Sequence, residues 1–262
     1  MKPLVMIVKE HGTNCEHESA RAFELAGARA EIVHMNDWIK DSEMIHDYQI
    51  AMFPGGFSYG DDTGSGYAWA NRIKNNVKDD LFKFAERDNL ILGICNGFQL
   101  LVNVGLLPGN GMGAALMHND FPRYTCRWVD LEVNGRSPWL KGMKRLAVPI
   151  AHGEGKFYAP EETMKAIREK DLVAARYVKG DIHHYQGLPA NPNGSLDDIA
   201  AIMDASGRIL GMMPHPERAV DFTQLPHWPL LKSWLKRDDK PVPEEGPGLQ
   251  IFRNAVEYFR EG

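Results

Sequence analysis

Three side chains in this sequence have the types and spacing for nucleophilic acyl chemistry. Cys95 stands in Gly93-Ile94-Cys95-Asn96-Gly97, after a short apolar run and before a segment whose Phe98, Leu101 and Val102 share a helical face. A nucleophile on a tight strand-to-helix turn needs small residues two positions to either side, because the backbone is crowded there. The helix N-terminus beyond it offers backbone N–H groups and partial positive charge, which favour a thiolate. Free cysteines are commonly small buried hydrophobes; the glycine bracket and the strand-helix setting are what single out Cys95. Cys15 and Cys126 have no such bracket: Cys15 lies in the first turn of the first helix, where a reactive role is conceivable but has no support, and Cys126 begins a strand and reads as packing.

A thiolate mechanism needs an imidazole, and the imidazole needs a carboxylate to orient it. Pro214-His215-Pro216-Glu217 offers both. Its prolines favour an extended backbone, on which side chains two residues apart point the same way. Glu217 would then accept from one ring nitrogen of His215 and leave the other to face Cys95. Gly55 and Gly56, in Pro54-Gly55-Gly56-Phe57-Ser58-Tyr59-Gly60-Asp61, end another strand and could turn N–H groups toward an oxyanion. The backbone N–H of Asn96 would be the second donor. Taken singly, the His-Pro-Glu string also fits a solvated loop, and the glycine pair an ordinary turn. No metal site is expected: His183 and His184 are adjacent, so they point apart, and no third ligand lies at useful spacing. His152, in Ala151-His152-Gly153-Glu154-Gly155-Lys156-Phe157, lies in a loop shaped for close approach to another group.

These residues must be positioned by alternating strands and helices. Leu4 to Val8, Ala30 to His34, Gln49 to Phe53 and Leu90 to Ile94 read as strands. Thr13 and Glu16 have capping-box spacing for a helix that runs to Gly27. Ile73, Val77, Leu81 and Phe84 mark one face of a helix from about Asn71 to Arg87. Such alternation predicts an α/β fold with a mostly parallel sheet covered on both faces. Further on, strands are expected at Arg127 to Val133, Ala147 to His152, Ile199 to Met203 and Arg208 to Met212. Helices are expected at Glu161 to Arg168 and Leu249 to Arg260. Gln224 to Pro247 holds five prolines and mixed charges and reads as mostly a surface insertion. No linker divides the chain, so residues 1–262 are read as one domain.

The bulk numbers set bounds. With 262 residues, 44% hydrophobic and 25% charged, the chain is long enough to bury a substantial core. A net charge of -5 with intermixed signs lacks the basic footprint of a nucleic-acid binder. Three scattered cysteines make no disulfide framework. The apolar run at Leu4 to Val8 is too short for a signal peptide or a membrane span, so a soluble cytoplasmic protein is the simplest reading.

Together the motifs resemble the class I, triad-type glutamine amidotransferases, and among them the glutaminase components of phosphoribosylformylglycinamidine synthases. The resemblance covers almost the whole chain. It is carried by Gly12-Thr13-Asn14-Cys15-Glu16, Pro54 to Asp61, Gly93 to Gln99, Arg127-Trp128, Ala151 to Phe157, Asn191-Pro192-Asn193-Gly194-Ser195, and Gly211-Met212-Met213-Pro214-His215-Pro216-Glu217-Arg218. It implies a flavodoxin-like three-layer sandwich, with Cys95 as nucleophile, His215 as acid and base, Glu217 as its partner, and Gln99 among the residues that bind substrate. It implies hydrolysis of L-glutamine to glutamate and ammonia through a cysteine thioester. The ammonia would go to a synthetase subunit that makes formylglycinamidine ribonucleotide from the amide in de novo purine synthesis. No cofactor is implied in this chain; ATP and Mg are expected in the synthetase, and a third small subunit is left open. The insertion at 224–247 departs from the short connection usual in the small glutaminases. Two other readings stay open: a glutaminase for another synthetase, such as that of guanylate synthesis, and a non-catalytic cysteine sensor on the same fold.

Overall fold

The apolar runs of the first half become neighbouring strands in a computed structural model, which describes residues 2–61 and 64–260. β1 (Leu4–Lys9), α1 (Glu16–Ala26), β2 (Arg29–His34), α2 (Met35–Lys40), β3 (Ile50–Phe53), α3 (Tyr67–Asn76), α4 (Lys78–Glu86), β4 (Leu90–Ile94) and α5 (Asn96–Val104) follow in turn. The second half adds β5 (Ala115–Met117), β6 (Thr125–Val133), β7 (Arg145–His152), β8 (Lys156–Tyr158), α6 (Glu161–Glu169), β9 (Val173–Val178), α7 (Asp181–Gln186), β10 (Ile199–Met203), β11 (Ile209–Met212), α8 (Trp228–Arg237) and α9 (Leu249–Tyr258).

The main sheet has the order β2-β1-β3-β4-β11-β10-β9-β6-β7. Its first five strands are parallel, a flavodoxin-like arrangement. The remaining four extend it with antiparallel pairings. β3, β4 and β11 are buried along their whole length, which is why they read as continuous apolar runs rather than alternating ones. α1 packs on β1 and β2 and against α9, while α5 packs on β3, β4 and β11 and against α3. The sheet thus lies between two helical layers, with Trp38, Trp69 and Trp139 fully buried in the core.

Several local expectations are corrected. The capping box at Thr13 and Glu16 does not form: Cys15 is the N-cap, Thr13 Oγ1 donates to the Glu10 carbonyl at 2.8 Å, and Glu16 pairs with Lys9. The helix expected over Asn71 to Arg87 is two helices that begin at Tyr67 and break at Val77, whose φ of -135° leaves the helical range. Val77 is itself buried, so tertiary packing rather than helical continuity sets its backbone. Periodicity also left out β9, which is buried on both faces, and α7.

The segment after Gln224 contains α8, all of whose residues stay partly or fully exposed. Its base is closed by backbone bonds from Phe222 to Glu244 and from Gly246 to Val220. Gly248 also bonds to the Ala219 carbonyl, and a Cβ there would lie 2.1 Å from the Pro216 carbonyl oxygen. The returning chain therefore rests directly on the turn that carries His215 and Glu217. Among the described residues, no helix is long and apolar enough to cross a membrane.

Candidate active site

Cys95 sits at the junction of β4 and α5 with φ 51° and ψ -106°, a conformation rare for any residue with a Cβ. Strain of this kind costs about 1–3 kcal/mol and is held in place by the surroundings. The bracketing glycines explain how. A Cβ on Gly97 would lie 1.9 Å from the Phe53 carbonyl oxygen, and one on Gly93 would lie 2.6 Å from that of Gly97. Both glycines are needed for the turn to close against β3. The Cys95 N–H donates to the Met212 carbonyl at 2.8 Å, which ties the elbow to β11. Its thiol, almost fully buried, lies 3.7 Å from the Ala151 carbonyl oxygen at the end of β7.

His215 follows β11, the strand beside β4, and its N–H donates to the Pro149 carbonyl at 2.8 Å. The extended reading of this segment is corrected: Pro216–Arg218 is one 3₁₀ turn with His215 as its N-cap. Proline fits the first position of such a turn, where its fixed φ suits the helix and no N–H is missed. The turn brings Glu217 Oε1 within 2.5 Å of His215 Nδ1. His215 and Glu217 are both buried. Burial works against the imidazolium, but the charges of Glu217 and Cys95 outweigh it and hold the His215 pKa well above its ordinary value. His215 Nε2 has no hydrogen-bond partner among the described residues.

The glycine loop closes the third side. A Cβ on Gly55 would lie 2.7 Å from His215 Cε1, 3.2 Å from Cys15 Sγ and 3.4 Å from Cys95 Cβ. Gly56, at φ 149°, packs on the N-terminal loop, where a Cβ would lie 2.6 Å from Thr13 Cα. Phe57 and Tyr59 donate their N–H groups to Gly12 and His11. Asn96 Oδ1 accepts from the Ser58 N–H at 3.1 Å, which pins the loop to the elbow. The buried Glu10 carboxylate meets Arg72 at 2.9 Å, and Arg72 meets the Tyr59 hydroxyl at 3.1 Å, a brace behind the same loop.

A cavity of about 60 Å³ opens between Cys95, His215, Gly56, Phe57, Cys15 and Arg218, with Asn14, Tyr124 and Ala151 completing its wall. Larger clefts lie elsewhere; one of about 730 Å³ lies under the 222–250 segment, and neither Cys95 nor His215 lines it. The small cavity is the one whose wall Cys95 and His215 share. Gln99 is not in the cavity wall. It is buried one turn along α5, with its amide donating to the Glu154 carbonyl at 2.5 Å and its Oε1 accepting from Asn96 at 3.0 Å.

Sequence reasoning gave Cys15 and Arg218 no part in the site. The Cys15 sulfur accepts from Arg218 at 3.0 Å and its S–H donates to Asn14 Oδ1 at 3.1 Å. A signal existed in Arg218, which directly follows Glu217; its Nε reaches Glu18 on α1 at 3.0 Å, so the guanidinium joins the two motifs. The fold also brings Cys15, His215 and Glu217 within 4.8 Å of one another, a grouping that linear spacing does not show. The His152 loop has a different purpose. Burial pushes the His152 imidazole down to about 3, so it stays neutral, held 3.1 Å from Asn119 Oδ1. A Cβ on Gly155 would lie 2.4 Å from that ring, so the glycine lets the chain fold over it.

The chain matches the family described as CobB/CobQ-like glutamine amidotransferase domain over residues 2–259. It is 48% identical over 99% of its length to phosphoribosylformylglycinamidine synthase subunit PurQ of Methanococcus maripaludis, covering 98% of that protein. It is 42% identical to the protein of the same description from Dehalococcoides mccartyi, covering 99% of each chain. Among solved structures it is similar to a chain in the structure of PurLQS from Thermotoga maritima, with a TM-score of 0.74 and 31% identity over 99% of this chain and 100% of that one. The chain therefore belongs to the glutamine amidotransferase family, in the branch of the phosphoribosylformylglycinamidine synthase PurQ subunits.

The glycine contacts carry a first prediction. Gly55→Ala places a methyl group against His215 Cε1, so the ring must move while the core elements stay as they are. Glutamine hydrolysis is expected to fall about a hundred-fold, the usual cost of an ångström of misplacement, with the circular dichroism spectrum unchanged. Wild-type turnover in this variant would show that the imidazole does not need its present position.

Proposed function

We propose that this chain is the glutaminase subunit of a phosphoribosylformylglycinamidine synthase, and that Cys95, His215 and Glu217 carry its reaction. The observation that supports this most is the convergence of a strained elbow thiol and a buried His215–Glu217 pair at the ends of adjacent strands β4 and β11. The Cys95 thiolate attacks the side-chain amide carbon of glutamine. The oxyanion that forms is held by backbone N–H groups of the Gly55-Gly56 loop and of Asn96, the first residue of α5. His215, protonated because of its acidic surroundings, donates to the departing ammonia, leaving a glutamyl thioester. The now neutral imidazole deprotonates a water, which cleaves the thioester to glutamate and frees Cys95. Glu217 keeps the ring oriented and stabilises its charged form. Gln99 supports the site from the second turn of the helix through Glu154 and Asn96.

The ammonia goes to a synthetase partner in the cytoplasm. ATP and Mg belong to that partner, since this sequence has no glycine-rich phosphate loop with its lysine. The 1–262 chain works as a single domain, with 224–247 as its surface insertion.

The free chain is expected to be a poor glutaminase. Against about 730 Å³ for the cleft under the 222–250 segment, the cavity beside Cys95 is small, about 60 Å³. The half-exposed Phe57 and Tyr124 rings in its wall stand 5.9 Å apart and must part to admit substrate. Binding of the synthetase with its nucleotide and acceptor is expected to hold them apart. Turnover should therefore rise in steps from chain alone, to chain with synthetase, to the fully liganded complex. Equal steady-state turnover in all three would refute the coupling. Shortening the 224–247 segment then locates it: coupling lost with basal rate kept assigns the contact to that segment, and unchanged coupling removes it.

A further inference from the structure

The reaction leaves Cys15 unused, yet Cys15 and Cys95 open into the same cavity with His215 beside them. Their approach is close. A methyl group on Gly55 would touch both the Cys15 sulfur, at 3.2 Å, and Cys95 Cβ, at 3.4 Å, so the two residues border the same face of that glycine. Both thiols are buried and free. Each also sits at the margin of an element rather than inside one: Cys15 is the N-cap of α1 and Cys95 precedes α5. Burial raises the Cys15 pKa, partly offset by its interaction with His215, so it waits as a thiol.

We propose that this pair is an oxidative modification site, in which a hydroperoxide converts Cys95 and Cys15 to a disulfide. The inference rests on Cys95 being a reactive thiolate. That thiolate attacks one peroxide oxygen; the O–O bond breaks, and with one proton the products are a Cys95 sulfenic acid and water (or the alcohol of an organic peroxide). The Cys15 sulfur then attacks the sulfenic sulfur. The S–S bond forms, the S–O bond breaks, and the Cys15 proton leaves with the hydroxide as a second water. His215 can carry that proton between the two sulfurs' neighbourhoods. Two thiols are oxidised and one peroxide is reduced. Reactive thiolates next to a second thiol commonly stop at the disulfide, whereas isolated ones go on to sulfinic acid, which thiols cannot reverse. Cys15 thus protects the nucleophile from irreversible loss.

The test treats the full-length chain with hydrogen peroxide, blocks remaining thiols, and maps peptides without reduction. The expected product is a cross-linked peptide joining Cys15 to Cys95, with Cys126, which is exposed, left as a free thiol. Glutamine hydrolysis with synthetase present should be lost on treatment and restored by dithiothreitol. In Cys15→Ser the same treatment should give Cys95 sulfinic acid and a loss that dithiothreitol does not restore. Cys95 recovered as sulfinic acid in the wild-type chain, or linked to Cys126, would overturn the proposal. The peptide map needs neither turnover nor the variant, so it decides the disulfide separately from the glutaminase reading.

Discussion

Cys95→Ala is expected to abolish glutamine-dependent synthesis in the complex while synthesis from added ammonium salts continues. Losing the nucleophile of a unit of this kind costs about 10⁴-fold or more. The ammonia route is expected to bypass it, with the synthetase taking the same nucleophile from solution. Serine should fare no better: its hydroxyl has a far higher pKa than a thiol, and the site is arranged around an imidazolium rather than a strong base. The substitution is also conformationally mild. Alanine inherits the φ of 51° that cysteine already tolerates, and the Cys95 N–H bond to Met212 does not involve the side chain. Parallel loss of both activities in a folded protein would make Cys95 a structural residue.

His215→Ala should cost nearly as much as losing the thiol, and the Cys95/His215 double variant hardly more than either, as the proposal that the two act as one unit requires. Losses that multiply would show that they act apart. Glu217→Gln should cost less and change the pH profile in a defined direction. Glu217 is the main group that raises the His215 pKa against the effect of burial. Without its charge, burial dominates and the pKa falls. Proton donation to the leaving ammonia needs the imidazolium, so activity is lost as pH rises through this pKa. The alkaline limb of the glutaminase profile should therefore move to lower pH in Glu217→Gln. An unmoved limb would mean that another group donates the proton.

The elbow is legible in the residue pattern because its constraint is local. The two glycines around Cys95 answer clashes with Phe53, Gly97 and Leu101 that any strand-turn-helix of this tightness produces. The parallel strands are legible because burial on both faces leaves unbroken apolar runs. Three features are not, each for a tertiary reason. Val77 breaks a helix whose periodicity runs on through it, because it is drawn into the core. Thr13 turns back to Glu10 instead of capping α1, because the N-terminal loop must pair with Gly56. Cys15 has no supported role in the sequence; only the return of the chain about 200 residues later sets Arg218 against it. The His215–Glu217 contact is expected from the sequence, but through an extended segment; a 3₁₀ turn makes it instead.

The most direct test of the central claim is to trap the covalent intermediate. The liganded complex is mixed with glutamine, quenched in acid within the steady state, and the peptides of this chain are weighed. The account predicts a glutamyl group in thioester linkage on the peptide that contains Cys95, absent when His215 is intact but Cys95 is alanine. Glutamine hydrolysed at the wild-type rate with Cys95 never acylated, or with the glutamyl group on Cys15, would contradict it.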